Sequence, residues 1–140
     1  MNKIDELCSI FAQTAHIYHQ WSRQNQIQYA ELAVLYMLMR YQPCSQKHIC
    51  QAWVLPKQTV STVCKQFHAQ GWLQFAPSSH DKREKIMTLT PAGLAHAQPF
   101  ITPLIQAEQQ ALQQFGNERT EHLLTELNAF TSLLAQQLTP

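Results

Sequence analysis

The polar side chains at Gln58, Thr59, Ser61, Thr62 and Lys65 stand off an apolar stripe of Val60, Val63, Cys64 and Phe67. Short donors and acceptors displayed this way suit the edges of bases in a major groove. Gln pairs bidentately with adenine, Ser and Thr serve bases or phosphates, and Lys reaches guanine or a phosphate. Further along, His80, Asp81, Lys82, Arg83 and Lys85 fall between two alternating segments, at the tip of an expected hairpin. An Arg on a narrow, protruding loop suits the electronegative minor groove. The chemistry on offer is therefore polyanion recognition. Catalysis finds no footing, because the chain has no nucleophile with a matching base, no Gly-rich phosphate loop and no carboxylate pair in a motif. Cys8, Cys44, Cys50 and Cys64 form no CxxC pair, and their spacings of 36, 6 and 14 match no zinc pattern. His16 and His19 sit three apart on one helix and the other five His are scattered, so neither metal nor cofactor is expected.

Periodicity supplies the elements that hold these groups. Ile4, Leu7, Cys8, Phe11, Ala15, Tyr18 and Trp21 recur at three and four, predicting a helix over 4–24. A second helix, over 28–41, is apolar nearly all round and so central to a core. Ser45 caps a short helix over 46–53, and Pro56 opens the helix that runs to Gln70 and stops at Gly71. Residues 72–76 and 85–89 alternate as two strands of a hairpin. Thr90-Pro91 starts a helix to about Phe115, with Pro99 and Pro103 as points of kinking or interruption. A Leu-rich helix over 118–137 ends the order α-α-α-α-β-β-α-α. The fold class is mainly α with a small β-hairpin wing: a winged helix-turn-helix. Cys50 and Cys64 fall on apolar stripes, Cys8 reads as a buried thiol, and Cys44 reads as an exposed loop residue.

Composition agrees. The chain has 140 residues, of which 14% are charged, against roughly 25% in an average chain. Between Ser45 and Thr90 six bases face two acids, a net +4, while the remainder carries −3, giving the overall +1. A basic middle between acidic ends suggests a polyanion-binding module in a neutral scaffold. Neither a signal-peptide core nor a membrane span is apparent, and reduced cysteines suit the cytoplasm.

Four stretches together carry a resemblance. Lys57-Gln58-Thr59-Val60-Ser61, Gly71-Trp72-Leu73, Asp81-Lys82-Arg83-Glu84-Lys85 and Leu89-Thr90-Pro91-Ala92-Gly93 resemble, in order and spacing, the signatures of MarR-type regulators. The resemblance implies one domain over 1–140, with a winged lobe over 30–90 that contacts double-stranded DNA. Helical segments over 1–28 and 91–140 would join two copies into a homodimer on a palindromic site. Excess apolar residues at Phe100, Ile101, Leu104, Ile105 and in the last helix independently favour such a dimer. It further implies DNA contacts from Ser45, Gln46, Lys57, Gln58, Thr59, Ser61, Thr62 and Lys65 and from His80, Asp81, Lys82, Arg83 and Lys85 of the wing, with Asp81 paired to the Arg83 guanidinium. It also implies repression relieved by a small aromatic or phenolic effector, for which Tyr18, His16, His19, Trp21, Tyr29 and Met37 are candidate lining residues. Cys8 is the candidate redox thiol, although the acidic residues beside it oppose a lowered pKa. Val54 departs from the family's usual turn glycine, and Thr62 from a frequent Arg. A different class of function, a winged-helix adaptor for another protein, fits the low charge but not the basic segment.

Overall fold

The computed structural model describes residues 2–81 and 83–139. Its elements are α1 (Lys3–Gln24), α2 (Tyr29–Arg40), β1 (Cys44–Ser45), α3 (Gln46–Trp53), α4 (Lys57–Ala69), β2 (Leu73–Pro77), β3 (Lys85–Leu89), α5 (Pro91–Phe115) and α6 (Asn117–Leu138). By their internal contacts the residues group into two units, Met1–Thr102 and Pro103–Pro140.

The first unit is built around α2. Every residue from Leu32 to Leu38 on it is buried, so it is sheathed on all sides rather than lying on a surface. Ile49 of α3, Val60, Cys64 and Phe67 of α4, Leu73 and Met87 of the hairpin and Ile101 of α5 complete the core. α1 begins in a reciprocal cap, in which the Asn2 side chain accepts from the Asp5 N–H at 2.9 Å and the Asp5 carboxylate accepts from the Asn2 N–H at 3.4 Å. Its face at Ile4, Ile10, Phe11 and Ile17 stays exposed, and so does Cys8, against the expectation of a buried thiol. Helical periodicity marks an apolar stripe but not what covers it; Leu7 and Ser9 are half-buried, and the shelter is greatest at the end of α1 nearest α2, where Ser22 is buried.

The sheet has three antiparallel strands in the order β1-β3-β2. The two-residue strand β1 was not expected from the sequence, because two residues carry no periodicity. It pairs Cys44 with Met87 and Ser45 with Ile86, which buries Cys44 instead of leaving it in an exposed loop. The Gln42 side chain extends this edge, its amide oxygen accepting the Leu89 N–H at 3.0 Å.

A junction at the base of the hairpin ties α4, the sheet and α5 together. Gly71, at φ +79°, ends α4 in the left-handed conformation, and the Trp72 N–H turns back to the Phe67 carbonyl at 2.9 Å. The Trp72 carbonyl accepts the Thr90 N–H at 3.0 Å. The Thr90 hydroxyl donates to the Gly71 carbonyl at 2.6 Å and accepts the Gly93 N–H at 3.0 Å, capping α5. Gly93 has no room for a side chain, since a Cβ there would lie 1.8 Å from the Trp72 carbonyl oxygen. The His96 ring then stacks on the Trp72 indole, centroids 3.7 Å apart.

α5 is unbroken from Pro91 to Phe115, so Pro99 and Pro103 do not interrupt it. Both are exposed, as is Ala95, leaving water able to reach the carbonyls of Ala95 and Pro99 that lack an intrahelical donor. Ile101 and Leu104 are buried, contrary to the reading that placed them in an unburied excess. In the second unit, the end of α5 turns through Gly116 (φ +104°) into α6, none of whose described residues is buried. Leu112, Leu123, Leu124, Leu133, Leu134 and Leu138 are all exposed.

Gly93→Ala is expected to lower stability by about 3 kcal/mol, because a carbonyl, unlike a flexible side-chain end, cannot move aside cheaply. Urea unfolding should show this as a lower midpoint at unchanged slope.

Candidate nucleic-acid interface

Ser45 and Gln46 open α3 half-buried, and the Ser45 hydroxyl accepts the His48 N–H at 3.1 Å as its N-cap. Ile49 turns inward, and α3 ends at Val54, whose backbone is left-handed (φ +51°, ψ +56°) while 88% of the residue is exposed. The turn thus keeps the geometry that a glycine would adopt without strain. For a β-branched residue the left-handed region is unfavourable by roughly 1–2 kcal/mol.

α4 then presents Lys57, Gln58, Thr59, Thr62 and Lys65 exposed and Ser61 half-buried, while Val60, Val63, Cys64 and Phe67 face the core. Pro56 precedes the helix in extended conformation. The Thr62 hydroxyl donates to the Gln58 carbonyl at 2.9 Å and lies 3.4 Å from the Gln58 amide nitrogen. Gln58 and Thr62 therefore form a linked polar pair one helical turn apart.

The hairpin is closed by the Ser78 N–H on the Glu84 carbonyl at 2.9 Å and by the Glu84 N–H on the Asp81 carbonyl at 3.1 Å. The Asp81 carboxylate accepts the backbone N–H of Arg83 at 2.9 Å. This corrects the ion pair inferred from the resemblance: Asp81 shapes the turn through the main chain, as Asp side chains do two residues on. Among the described residues Asp81 and Arg83 form no ion pair. His80, Asp81, Arg83 and Lys85 are exposed, whereas Lys82, also expected to contact DNA, lies outside the described residues. Lys85 reaches over the Phe75 ring at 5.7 Å. The structure thus sets the α4 groups along one helix and the wing groups on the hairpin loop, with β1 bringing Ser45 beside Ile86 at the start of β3, next to that loop.

The suggested effector residues divide. His19 stacks on Tyr29 at 3.7 Å, and both line an open groove of about 400 Å³ with Ser22, Arg23, Gln26, Ile27 and Gln28. Burial pushes the Tyr29 hydroxyl up from its ordinary pKa. Tyr18 and Tyr29 each meet Trp53 edge-on, a participant that sequence reasoning missed because α3 places it there. Met37 is core, His16 is exposed and Trp21 is half-buried, and none of the three lines the groove. Burial raises the Cys44 thiol to about 11 and, with smaller contributions from Cys50 and Cys44, the Cys64 thiol to about 12, so both stay protonated at neutral pH. Among the described residues no cluster of three or more metal-binding side chains occurs, and no helix is long and apolar enough to cross a membrane.

A helix-turn-helix with an exposed polar second helix, followed by a hairpin carrying bases, defines a winged-helix protein of the DNA-binding class. Residues 25–84 match the model of the MarR family. The structure of NMB1585, a MarR family regulator from Neisseria meningitidis, is similar at 32% identity and a TM-score of 0.86, covering 99% of this chain and 98% of that one. MepR of S. aureus in its DNA-binding conformation shares the fold at a TM-score of 0.70 and 20% identity, over 96% of this chain and 99% of its own. YwoH of Bacillus subtilis, an uncharacterized HTH-type transcriptional regulator, is 28% identical over 92 residues; the match spans 66% of this chain and 66% of that relative's length. The chain belongs to the MarR family, whose members are transcriptional regulators and not enzymes.

Val54→Gly is expected to raise stability by about 1 kcal/mol, the relief of left-handed strain exceeding the entropy that glycine adds to the unfolded chain. Thermal melts of the two proteins, read alongside DNA affinity, would check this.

Proposed function

We propose that this chain is a homodimeric, sequence-specific repressor that occupies a palindromic DNA site in the cytoplasm and leaves it when a small aromatic or phenolic effector binds. The observation that carries the reading is the exposed polar face of α4 together with the Arg83-bearing hairpin, both on the net +4 segment. On this reading Lys57, Gln58, Thr59, Ser61, Thr62 and Lys65 enter the major groove, and Arg83, with His80, Asp81, Lys82 and Lys85 around it, addresses the minor groove. Ser45 and Gln46 hold the start of α3 on the backbone.

In this arrangement residues 30–90 form the reading lobe, and residues 1–28 and 91–140 join the two copies. The exposed leucines of α6 and the exposed face of α1 support an assembly, since contiguous apolar surface on a soluble chain marks an interaction site. Two-fold symmetry in the protein then dictates a two-fold site in the DNA. Repression needs only occupancy of that site, with no second surface. The His19–Tyr29 stack beside Arg23 supports a planar anionic effector, which an aromatic face and a cation suit.

The deciding experiment is titration of the purified protein on DNA upstream of its own gene, with salt and excess nonspecific DNA varied. Specific affinity that falls steeply with salt is the expected result, because neutralised phosphates release counterions. Sequence-indifferent binding, or none, would sink the reading. Arg83→Ala should weaken binding and reduce the salt slope by about one. Gln58→Ala should relax discrimination at one base pair by about 1–3 kcal/mol. Sedimentation should give twice the chain mass, and a monomer would remove the dimer from the reading.

A further inference from the structure

The exposed imidazole of His48 is held in an unusual way for a surface side chain. It is the third residue of α3, and its Nδ1 lies 3.5 Å from the sulfur of Cys44, which is only 2% exposed in β1. The Tyr41 ring sits 5.4 Å from the imidazole, with the Arg40 guanidinium 5.5 Å from the Tyr41 ring. The contact with a buried thiol sets the ring's direction. The Cys44 thiol donates to the Ser45 carbonyl at 3.5 Å, which leaves its sulfur to accept from Nδ1; Nε2 lies on the opposite side of the ring and carries a hydrogen when the imidazole is protonated.

The surroundings are basic. The bases on α3 and on α2, α4 and β3 packed along it are Lys47, Arg40, Lys57, Lys65 and Lys85, with His68 on α4; α1, which meets the far end of α3 at Trp53, carries Lys3, Asp5, Glu6, His16, His19 and Arg23. β1, β3, α3 and α4 contain no carboxylate, Glu31, the one acid of α2, lies at the other end of that helix from Tyr41, and the wing loop carries Asp81 and Glu84 against Arg83 and, at the start of β3, Lys85. The pairing of Ser45 with Ile86 sets the start of α3 one residue from Lys85, next to the wing loop. Lys47 and His48, both exposed, therefore continue the basic rim of the wing onto α3.

We propose that His48 is a phosphate contact to the DNA backbone, outside the reading helix and the wing, and that Cys44 is the positioning residue that aims its Nε2 outward. The inference rests on the DNA-binding reading above. It gives that binding a proton-dependent component, because a protonated imidazole adds a charge that a phosphate neutralises.

The test is fluorescence anisotropy with the upstream duplex at about pH 6 and about pH 8, each across a range of salt. Wild type should bind more tightly at the lower pH, with a salt slope steeper by about one. In a His80→Gln background, which removes the other imidazole placed on the DNA, His48→Gln, which keeps a donor but no charge, should lose the remaining gain and bind roughly fivefold more weakly at about pH 6. His48→Lys should bind tightly at both. Cys44→Ala, its fold verified by thermal melting, should blunt the acid gain, while Cys44→Ser should retain it. A His48→Gln protein with wild-type affinity, slope and pH response would overturn the contact. A folded Cys44→Ala protein with a full acid gain would overturn the positioning role. If wild type itself shows no salt-sensitive binding, it is the regulator reading that has failed, and the His48 contact falls with it.

Discussion

The contact on which the reading lobe depends is the close approach of the Trp72 carbonyl to Gly93. One carbonyl accepts the Thr90 N–H and lies against a residue that has no side chain. The Thr90 hydroxyl bridges from Gly71 to Gly93 across the same gap. The end of α4, the return of the hairpin and the first turn of α5 are thereby fixed to one another by main-chain atoms, which have no rotamers to change. The His96–Trp72 stack covers this point with aromatic surface. A helix that must present six polar side chains in a fixed register needs an anchor of this kind at its far end. Its near end follows the short turn at Val54 and is seated by the buried Val60.

Around this anchor the structure divides labour by burial. α2 is enclosed along seven consecutive residues, Leu32–Leu38. Its role is to present an apolar surface on every side, so that α3, α4 and β3 can each seal one face and turn the other outward. The low overall charge leaves the +4 segment without competition from distant bases. Electrostatic attraction to a polyanion is therefore concentrated where α4 and the wing are, and this favours an oriented encounter.

Much of this was legible in the residues. The stripe at Val60, Val63, Cys64 and Phe67 told which side of α4 is buried, and the side left over is the one exposed. Thr90-Pro91 and Gly71 marked their boundaries because cap and stop chemistry is local. What was not legible depends on contacts distant in sequence. β1 exists because β3 is there to receive it, and Cys44 is buried for that reason alone. Asp81 and Arg83 are the types of an ion pair, but the turn brings the carboxylate to a main-chain N–H instead. Cys8 and the α6 leucines carry the pattern of buried residues without being buried in this chain, since periodicity records that a face is apolar and not which neighbour covers it. His48 was passed over as one of several scattered His, because the thiol that orients it lies on a strand too short to foresee.

The tiny strand β1 also bears on what the hairpin can adhere to. A hairpin that must protrude offers two open rims of unpaired amides and carbonyls, a template on which another hairpin can stack. β1 and the Gln42 amide occupy the rim of β3, and the rim of β2 finishes at Pro77, which has no N–H to offer. Adhesion between hairpins is thus blunted by features outside the hairpin tip, which leaves the tip itself at liberty to carry bases suited to another partner.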